Sequence, residues 1–299
     1  MLEFAEYLVT AAAVFVLLGL VSGIALVTSR RRNPVATVSV RAKVSVGGAA
    51  LAPAQSEAPV QAGRGTSLGW YATAFQVIAL LLTAYMVIRM SVTGHGPFAN
   101  QHEFAVAFTW GILLVNLFFG LRYRIRMLSL VVLPVAAAML VYALSLDTGV
   151  RPLIPALQNN LLLTLHVGFA IIAYGAACVS FGAAVLYLLH PHITRVHLPR
   201  QEVLDDVGYR AAVITFPLLT IMIVLGSVWA STAWGRYWGW DPKETAALVT
   251  WLVYGAFLHA RVVRDWRGTK ASWLLVIGFL TILVAYFGNH FFGGLHSYA

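Results

Sequence analysis

Apolar runs of about 20 residues recur along the chain, each closed by a short polar stretch, and that is the length an α-helix needs to cross a hydrocarbon core. Eight such segments stand near residues 7–28, 70–90, 104–121, 127–146, 161–189, 211–230, 244–260 and 272–288. No water reaches the backbone inside a bilayer, so runs this apolar predict helices that satisfy their own peptide groups. The expected fold is all-α, a polytopic membrane helix bundle with about eight transmembrane helices. In the fifth segment Gly168, Gly175 and Gly182 recur at one helix face, flanked by Ala176, Ala177, Ala183 and Ala184, a pattern that lets another helix approach closely. His166, about 200° around the same helix from Gly168, points away from that contact.

The basic residues separate the two sides of the bundle. Sixteen of the twenty Lys and Arg fall in alternate connections: Arg30, Arg31, Arg32, Arg41, Lys43 and Arg64; Arg122, Arg124 and Arg126; Arg195, Arg200 and Arg210; and Arg261, Arg264, Arg267 and Lys270. The other side carries Arg89, Arg151, Arg236 and Lys243. The positive-inside rule makes the sixteen cytoplasmic and both termini extracytoplasmic. Glu3 and Glu6 precede the first segment and Arg30–Arg32 follow it, the reverse of a secretory signal peptide, so residues 1–28 are expected to remain as an N-terminal transmembrane helix. Residues 29–69, rich in Ala, Val, Gly, Ser and Pro, are expected to form a flexible cytoplasmic linker dispensable for chemistry. Residues 70–103 supply the second helix and an outer loop, and residues 104–299 the core.

Composition narrows the chemistry. The chain is 60% hydrophobic and 10% charged, with a mean hydropathy of +0.80, far from a soluble domain. Cys178 is a single cysteine in an apolar run, which excludes a disulfide framework, a structural zinc site and a CxxC redox pair. There is no Cys-x-x-Cys-His, so the chain is not itself a c-type cytochrome. The net charge of +9 follows membrane topology rather than a nucleic-acid-binding face.

Between the sixth and seventh segments the chain reads Trp234-Gly-Arg-Tyr237-Trp238-Gly-Trp240-Asp241-Pro-Lys-Glu244. Such a cluster is either an interfacial aromatic belt or a flat apolar platform for a ligand. Asp241, followed by Pro242 and by Glu244 three residues on, has the form of a capping box, so a structural N-cap is as good a reading of Asp241 as catalysis. Of nine histidines, His95, His102, His166, His290 and His296 fall near the outer side, and His190, His192, His197 and His259 near the cytoplasmic side. His95, His102, His192 and His197 are expected in solvated loops. His166 and His259 lie within spans, where an ionisable side chain is a functional hypothesis by default. His259 is roughly 25 Å along its helix from Pro242, too far to share a metal with the outer loop. His166 and His296 both approach that loop, and two neutral imidazoles beside aromatic rings are what a bis-histidine haem requires.

Trp234–Glu244, Leu258-His259-Ala-Arg261 and Gly294-Leu295-His296-Ser297-Tyr298 together resemble the tryptophan-rich WWD haem-handling proteins, over roughly residues 104–299. More narrowly they resemble the CcsA/ResC-type subunit, called CcsB in many bacteria, of the System II cytochrome c synthase. The resemblance implies a membrane subunit of a holocytochrome c synthase of the haem lyase type. Such a subunit conveys haem b, as transient substrate and ligand, to the outer face and presents it for thioether attachment to the CxxCH of apocytochrome c. It implies His166 and His296 as outer haem-iron ligands, His259 as an intramembrane ligand, and Trp234, Tyr237, Trp238 and Trp240 as haem contacts, with Trp234, Trp238, Trp240 and Asp241 carrying the catalytic role. It also implies a separate membrane partner of the ResB (Ccs1) type holding the second inner ligand, and a thioredoxin-like thiol reductant as a further candidate partner. The expected location is a bacterial cytoplasmic membrane rather than a thylakoid, with the active face extracytoplasmic. Alternatives are a haem shuttle without synthase activity, a di-haem membrane electron carrier, and a secondary transporter, for which the expected internal repeat is missing.

Overall fold

The computed structural model describes residues 1–32, 65–123, 125–150, 153, 155–158, 160–193, 198–288 and 291–296. The chain is an all-helical, multi-pass membrane protein with eight candidate spans: Leu2–Thr28, Gly69–Thr93, Gln101–Tyr123, Arg126–Leu144, Leu161–Leu189, Gln201–Trp234, Pro242–Val263 and Thr269–Phe287. The helices are α1 (Leu2–Arg32), α2 (Gly65–Ala79), α3 (Leu82–Thr93), α4 (Gln101–Tyr123), α5 (Ser129–Leu144), α6 (Asn160–Leu189), α7 (Gln201–Trp234), α8 (Pro242–Val263) and α9 (Thr269–Phe287). Most of the expected linker, residues 33–64, lies outside the described residues. Its flanks are helical: α1 runs on through Arg30–Arg32, and α2 begins at Gly65.

Two features depart from the hydropathy pattern. The second span is two helices, α2 and α3, joined by tight turns at Leu80 and Leu81, whose amides bond the carbonyls of Val77 and Ile78. No proline or glycine marks that break. The other is α7, which has 34 residues and so extends about 51 Å at 1.5 Å per residue, well beyond a hydrocarbon core. Its first turns carry Glu202, Asp205, Asp206 and Arg210, polar residues a hydropathy window rejects.

Helix α6 is the centre of the bundle, packed against α4, α5, α7 and α9. Where it crosses α4 the backbones touch: a Cβ on Gly175 would collide with the carbonyl of Gly111, and one on Gly111 with Ile171. Gly182 makes the corresponding approach to Val132 and Leu128 beside α5, whereas Gly168 has open space around its Cα. The glycine face thus serves α4 and α5, and His166 on the other face meets α7.

Buried polar groups pin the helices at three levels. Near one end, the Asp205 carboxylate accepts from Arg261 at 2.6 Å and from the amide of Gly268 at 3.1 Å, clamping α7 to the α8–α9 connection. Midway, Asn116 donates to Gln76 at 2.7 Å, and both bond Ser129, joining α4, α2 and α5. At the other end, Arg89 and Glu103 form a fully buried ion pair at 2.7 Å. Arg89 also donates to the carbonyl of Thr148, and Glu103 accepts from the amide of Ala99. His102, 1% exposed, donates its Nδ1 proton to the carbonyl of Ala143. Arg89 and His102 are therefore not loop residues, and the solvated state expected of His95 and His102 is replaced by burial. These bonds fix the α3–α4 loop against the end of α5.

Breaking this last pair leaves a lone charge in a dry site. Arg89→Met should strand Glu103 and cost about 3–5 kcal/mol, read as a lowered thermal midpoint in detergent. An unchanged midpoint would contradict the assigned role.

Candidate functional site

The aromatic loop is shaped by its two ends. Helix α7 stops at Gly235, which takes φ +71°, a conformation natural to glycine, and returns its amide to the carbonyl of Ser231. Helix α8 starts with the expected capping box. Asp241 accepts from the amide of Lys243 at 3.0 Å, and Glu244 reaches back to the amides of Asp241 and Gly239 at 3.2 and 2.8 Å. Between these ends Ser227 holds the carbonyl of Tyr237 at 2.9 Å. Trp240 takes φ +56°, which for a side chain of that bulk is a strained backbone held in place by the cap that follows it.

The loop closes one side of a half-open cavity whose empty space, counted out into the solvent at its mouth, is about 1250 Å³. Its walls come from the ends of α4, α6, α7, α8 and α9, and include Phe104, His166, Trp229, Trp234, Trp238, Lys243, Tyr286 and His296. His166 and His296, 130 residues apart in sequence, thus face one space. Trp234 packs edge-on to His296 at 4.8 Å between ring centroids and edge-on to Trp229 at 4.7 Å. Trp229 stacks nearly parallel to His166 at 6.4 Å and lies 5.8 Å from His296, so one indole bridges the two imidazoles.

Each imidazole is held by its Nδ1. His166 donates to the carbonyl of Met222 at 2.8 Å, and Gly226, one turn further along α7, makes room for the ring. His296 donates to the Asp241 carboxylate at 2.8 Å. With the proton on Nδ1, the lone pair of each neutral ring sits on Nε2, the arrangement in which second-shell acceptors orient metal-binding histidines. Burial, assisted by the positive charge of Lys243, lowers His296 to about 4 against the pull of its Asp241 hydrogen bond, so the ring is neutral at physiological pH. Burial acts to raise the Asp241 carboxyl. The hydrogen bonds from His296, Lys243 and Leu295 outweigh it and hold that carboxyl below its ordinary value.

Asp241 therefore caps α8 and seats the segment that carries His296, whose preceding residue, Leu295, also donates its amide to the same carboxylate. Gly294 lies so close to Asp241 that no Cβ would fit. This places Asp241 behind the site rather than in it: neither Asp241 nor Trp240 lines the cavity, while Trp234, Tyr237 and Trp238 do. Trp240, 69% exposed, meets Trp238 edge-on at 5.8 Å and projects outward. Four of the wall residues named above went unread in the sequence: Phe104 and Trp229, which lie inside apolar spans; Lys243, which looked like a helix-start residue; and Tyr286. His259 is exposed near the far end of α8 and belongs to no part of the cavity. His290 and His197 lie outside the described residues. Among the described residues no group of three or more His, Cys, Asp and Glu side chains could hold a metal ion.

Comparison with known proteins shows the family. Residues 98–296 match the family model described as cytochrome C assembly protein. The chain belongs to that family. It is 34% identical over 247 residues to the cytochrome c biogenesis protein CcsA of Guillardia theta, covering 73% of this chain and 82% of that protein. It is 33% identical over 287 residues to the CcsA of Microcystis aeruginosa, covering 77% and 87%. Among solved structures, the cytochrome c haem lyase CcmF superposes with a TM-score of 0.63 at 17% identity, a likeness of fold. The alignment spans 96% of this chain and 46% of that one, so the chain corresponds to about half of the larger protein. The family match begins at Phe98, within the loop that the Arg89–Glu103 pair holds, and ends at His296.

The depressed His296 value has a sign that can be tested. An unfolded histidine takes up its proton near 6.5 and the folded one only near 4, so the unfolded state binds more protons between those values. The contribution is complete above about pH 6.5 and falls away as the pH drops to about 4. The difference in thermal midpoint between wild type and His296→Gln should shrink over that window, and a difference independent of pH would contradict the assignment.

Proposed function

We propose that this protein is the membrane subunit of a cytochrome c synthase of the CcsA/ResC type, and that the cavity receives haem b as its substrate. The observation that carries the reading is the pair of imidazoles, His166 and His296, each held through its Nδ1 and both lining one aromatic cavity. Two such imidazoles suit a bis-histidine haem, and Trp229, Trp234 and Trp238 offer apolar ring faces for a macrocycle. The relatives' role in cytochrome c biogenesis supports the same reading.

Haem supplies the vinyl groups that react. In thioether formation a CxxCH thiol adds across a vinyl double bond: a sulfur–carbon bond forms, the thiol hydrogen goes to the other vinyl carbon, and no net oxidation occurs. The protein's part is positional. His166 and His296 would hold the iron, the tryptophans would exclude water, and a thiol delivered to a fixed vinyl would react at high effective concentration. No base triad is required. The charge asymmetry of the connections argues for an extracytoplasmic Trp-rich loop, where apocytochrome c is met.

His259 has a different place in this scheme. It is exposed on α8 at the opposite end, and an imidazole presented there suits a haem completed by a ligand from a ResB (Ccs1) type partner. A thioredoxin-like reductant would keep the apocytochrome thiols free.

The test is co-expression with that partner and a reporter apocytochrome, scored for covalent haem. His166→Gly and His296→Gly should each abolish low-spin haem and product, with partial return on adding imidazole. Retention of both signals in the double variant would refute the bis-histidine site. Asp241→Ala should weaken haem binding about 10–100-fold by releasing His296. The tryptophans separate a platform from a membrane belt. Trp234→Phe and Trp238→Phe should lower haem occupancy, while Trp240→Phe, outside the cavity, should leave it unchanged; three silent variants would favour the belt.

A further inference from the structure

Lys243 is the one basic side chain lining the cavity among the described residues. It stands one residue after Pro242 at the start of α8, where the Asp241 cap fixes the direction in which its side chain leaves the helix. Its ammonium reaches across to α4 and sits 5.5 Å above the ring of Phe104, which itself packs on Tyr286 at 5.4 Å. No carboxylate among the described residues comes within ion-pair distance of it. The two acids beside it are engaged elsewhere: Asp241 accepts from His296, Leu295 and the Lys243 amide, and Glu244 from Gly239 and Asp241. An ammonium against apolar rings without an anion is a costly arrangement, only partly offset by the cation–π contact. It becomes favourable when the occupant of the cavity brings the anion.

We propose that Lys243 is the carboxylate anchor of this cavity, binding a propionate of the porphyrin and so fixing which edge of the macrocycle faces the aromatic loop. The inference rests on the haem reading above and adds to it. Two histidine ligands would fix where the iron sits, but would leave a planar ligand free to turn in its own plane. An ammonium at one edge removes that freedom, because the propionates of protoporphyrin occupy one edge of the ring and the vinyl groups lie away from it. With the propionate held between α4 and α8, a vinyl rather than a propionate is presented for thiol addition. Lys243 is thus a specificity-determining residue, acting on orientation as well as affinity.

The experiment compares iron protoporphyrin with its dimethyl ester, in which the anions are removed and the ring is kept, by titrating low-spin absorbance of the detergent-purified full chain. Wild type should bind the diacid about tenfold more tightly than the diester, the scale of one charge-assisted hydrogen bond. Lys243→Met should lose that preference by weakening the diacid alone, and Lys243→Arg should keep it. Equal affinity of wild type for diacid and diester would overturn the anchor without need of any variant, and so would a preference that survives in Lys243→Met. Failure of both porphyrins to give a low-spin, His166-dependent signal would instead overturn the haem reading, and the anchor with it.

Discussion

The site depends on one carboxylate, because Asp241 accepts hydrogen bonds from three donors in two separate parts of the chain, the start of α8 and the segment after α9, and so ties one to the other. Its bond to Lys243 starts α8, its bond to Leu295 brings the segment after α9 back to the loop, and its bond to His296 sets the tautomer of a ring that faces the cavity. The cost of burying this charge is offset by three donors, which is the condition under which a carboxylate is stable away from water. A residue that reads as a helix cap is also the joint between the aromatic loop and the C-terminal histidine. Cap geometry and imidazole geometry are coupled through a single side chain.

The remainder of the bundle keeps that joint in register with His166. Helix α6 carries this residue on the face opposite its glycines, so the contacts that lock α6 to α4 and α5 also orient the imidazole toward α7. The buried Arg89–Glu103 pair fixes the loop before α4, from which Phe98, Ala99 and Asn100 enter the cavity wall. At the far end, Arg261 and Asp205 join α7 to the α8–α9 turn and limit how far the two helices flanking the aromatic loop can diverge. Polar groups placed at helix ends thus determine the shape of an apolar cavity.

Much of this was legible in sequence. Membrane crossing imposes a length on apolar runs, so the eight spans could be found from hydropathy, and the Asp241–Glu244 cap follows from local hydrogen-bonding rules. That His166 and His296 line one cavity followed from the ends of their spans approaching the same loop. What hydropathy does not encode stayed hidden. The polar first turns of α7 lie beyond the apolar run; the break between α2 and α3 has no Pro or Gly to announce it; His102 looked like a loop residue because Gln101, His102 and Glu103 are all polar. Trp229 and Lys243 were hidden for opposite reasons. An indole in an apolar span resembles core, and a lysine after a proline cap resembles surface.

The direct backbone contact between Gly111 and Gly175 bears on how the cavity can change shape. Side-chain interfaces can repack through alternative rotamers, whereas two peptide backbones in contact have none to exchange. The α4 wall, with Phe104, and the α6 wall, with His166, therefore behave as a single rigid jaw. Any widening or narrowing of the cavity then falls to the opposite jaw, where Trp240 already stores backbone strain beside the α8 cap.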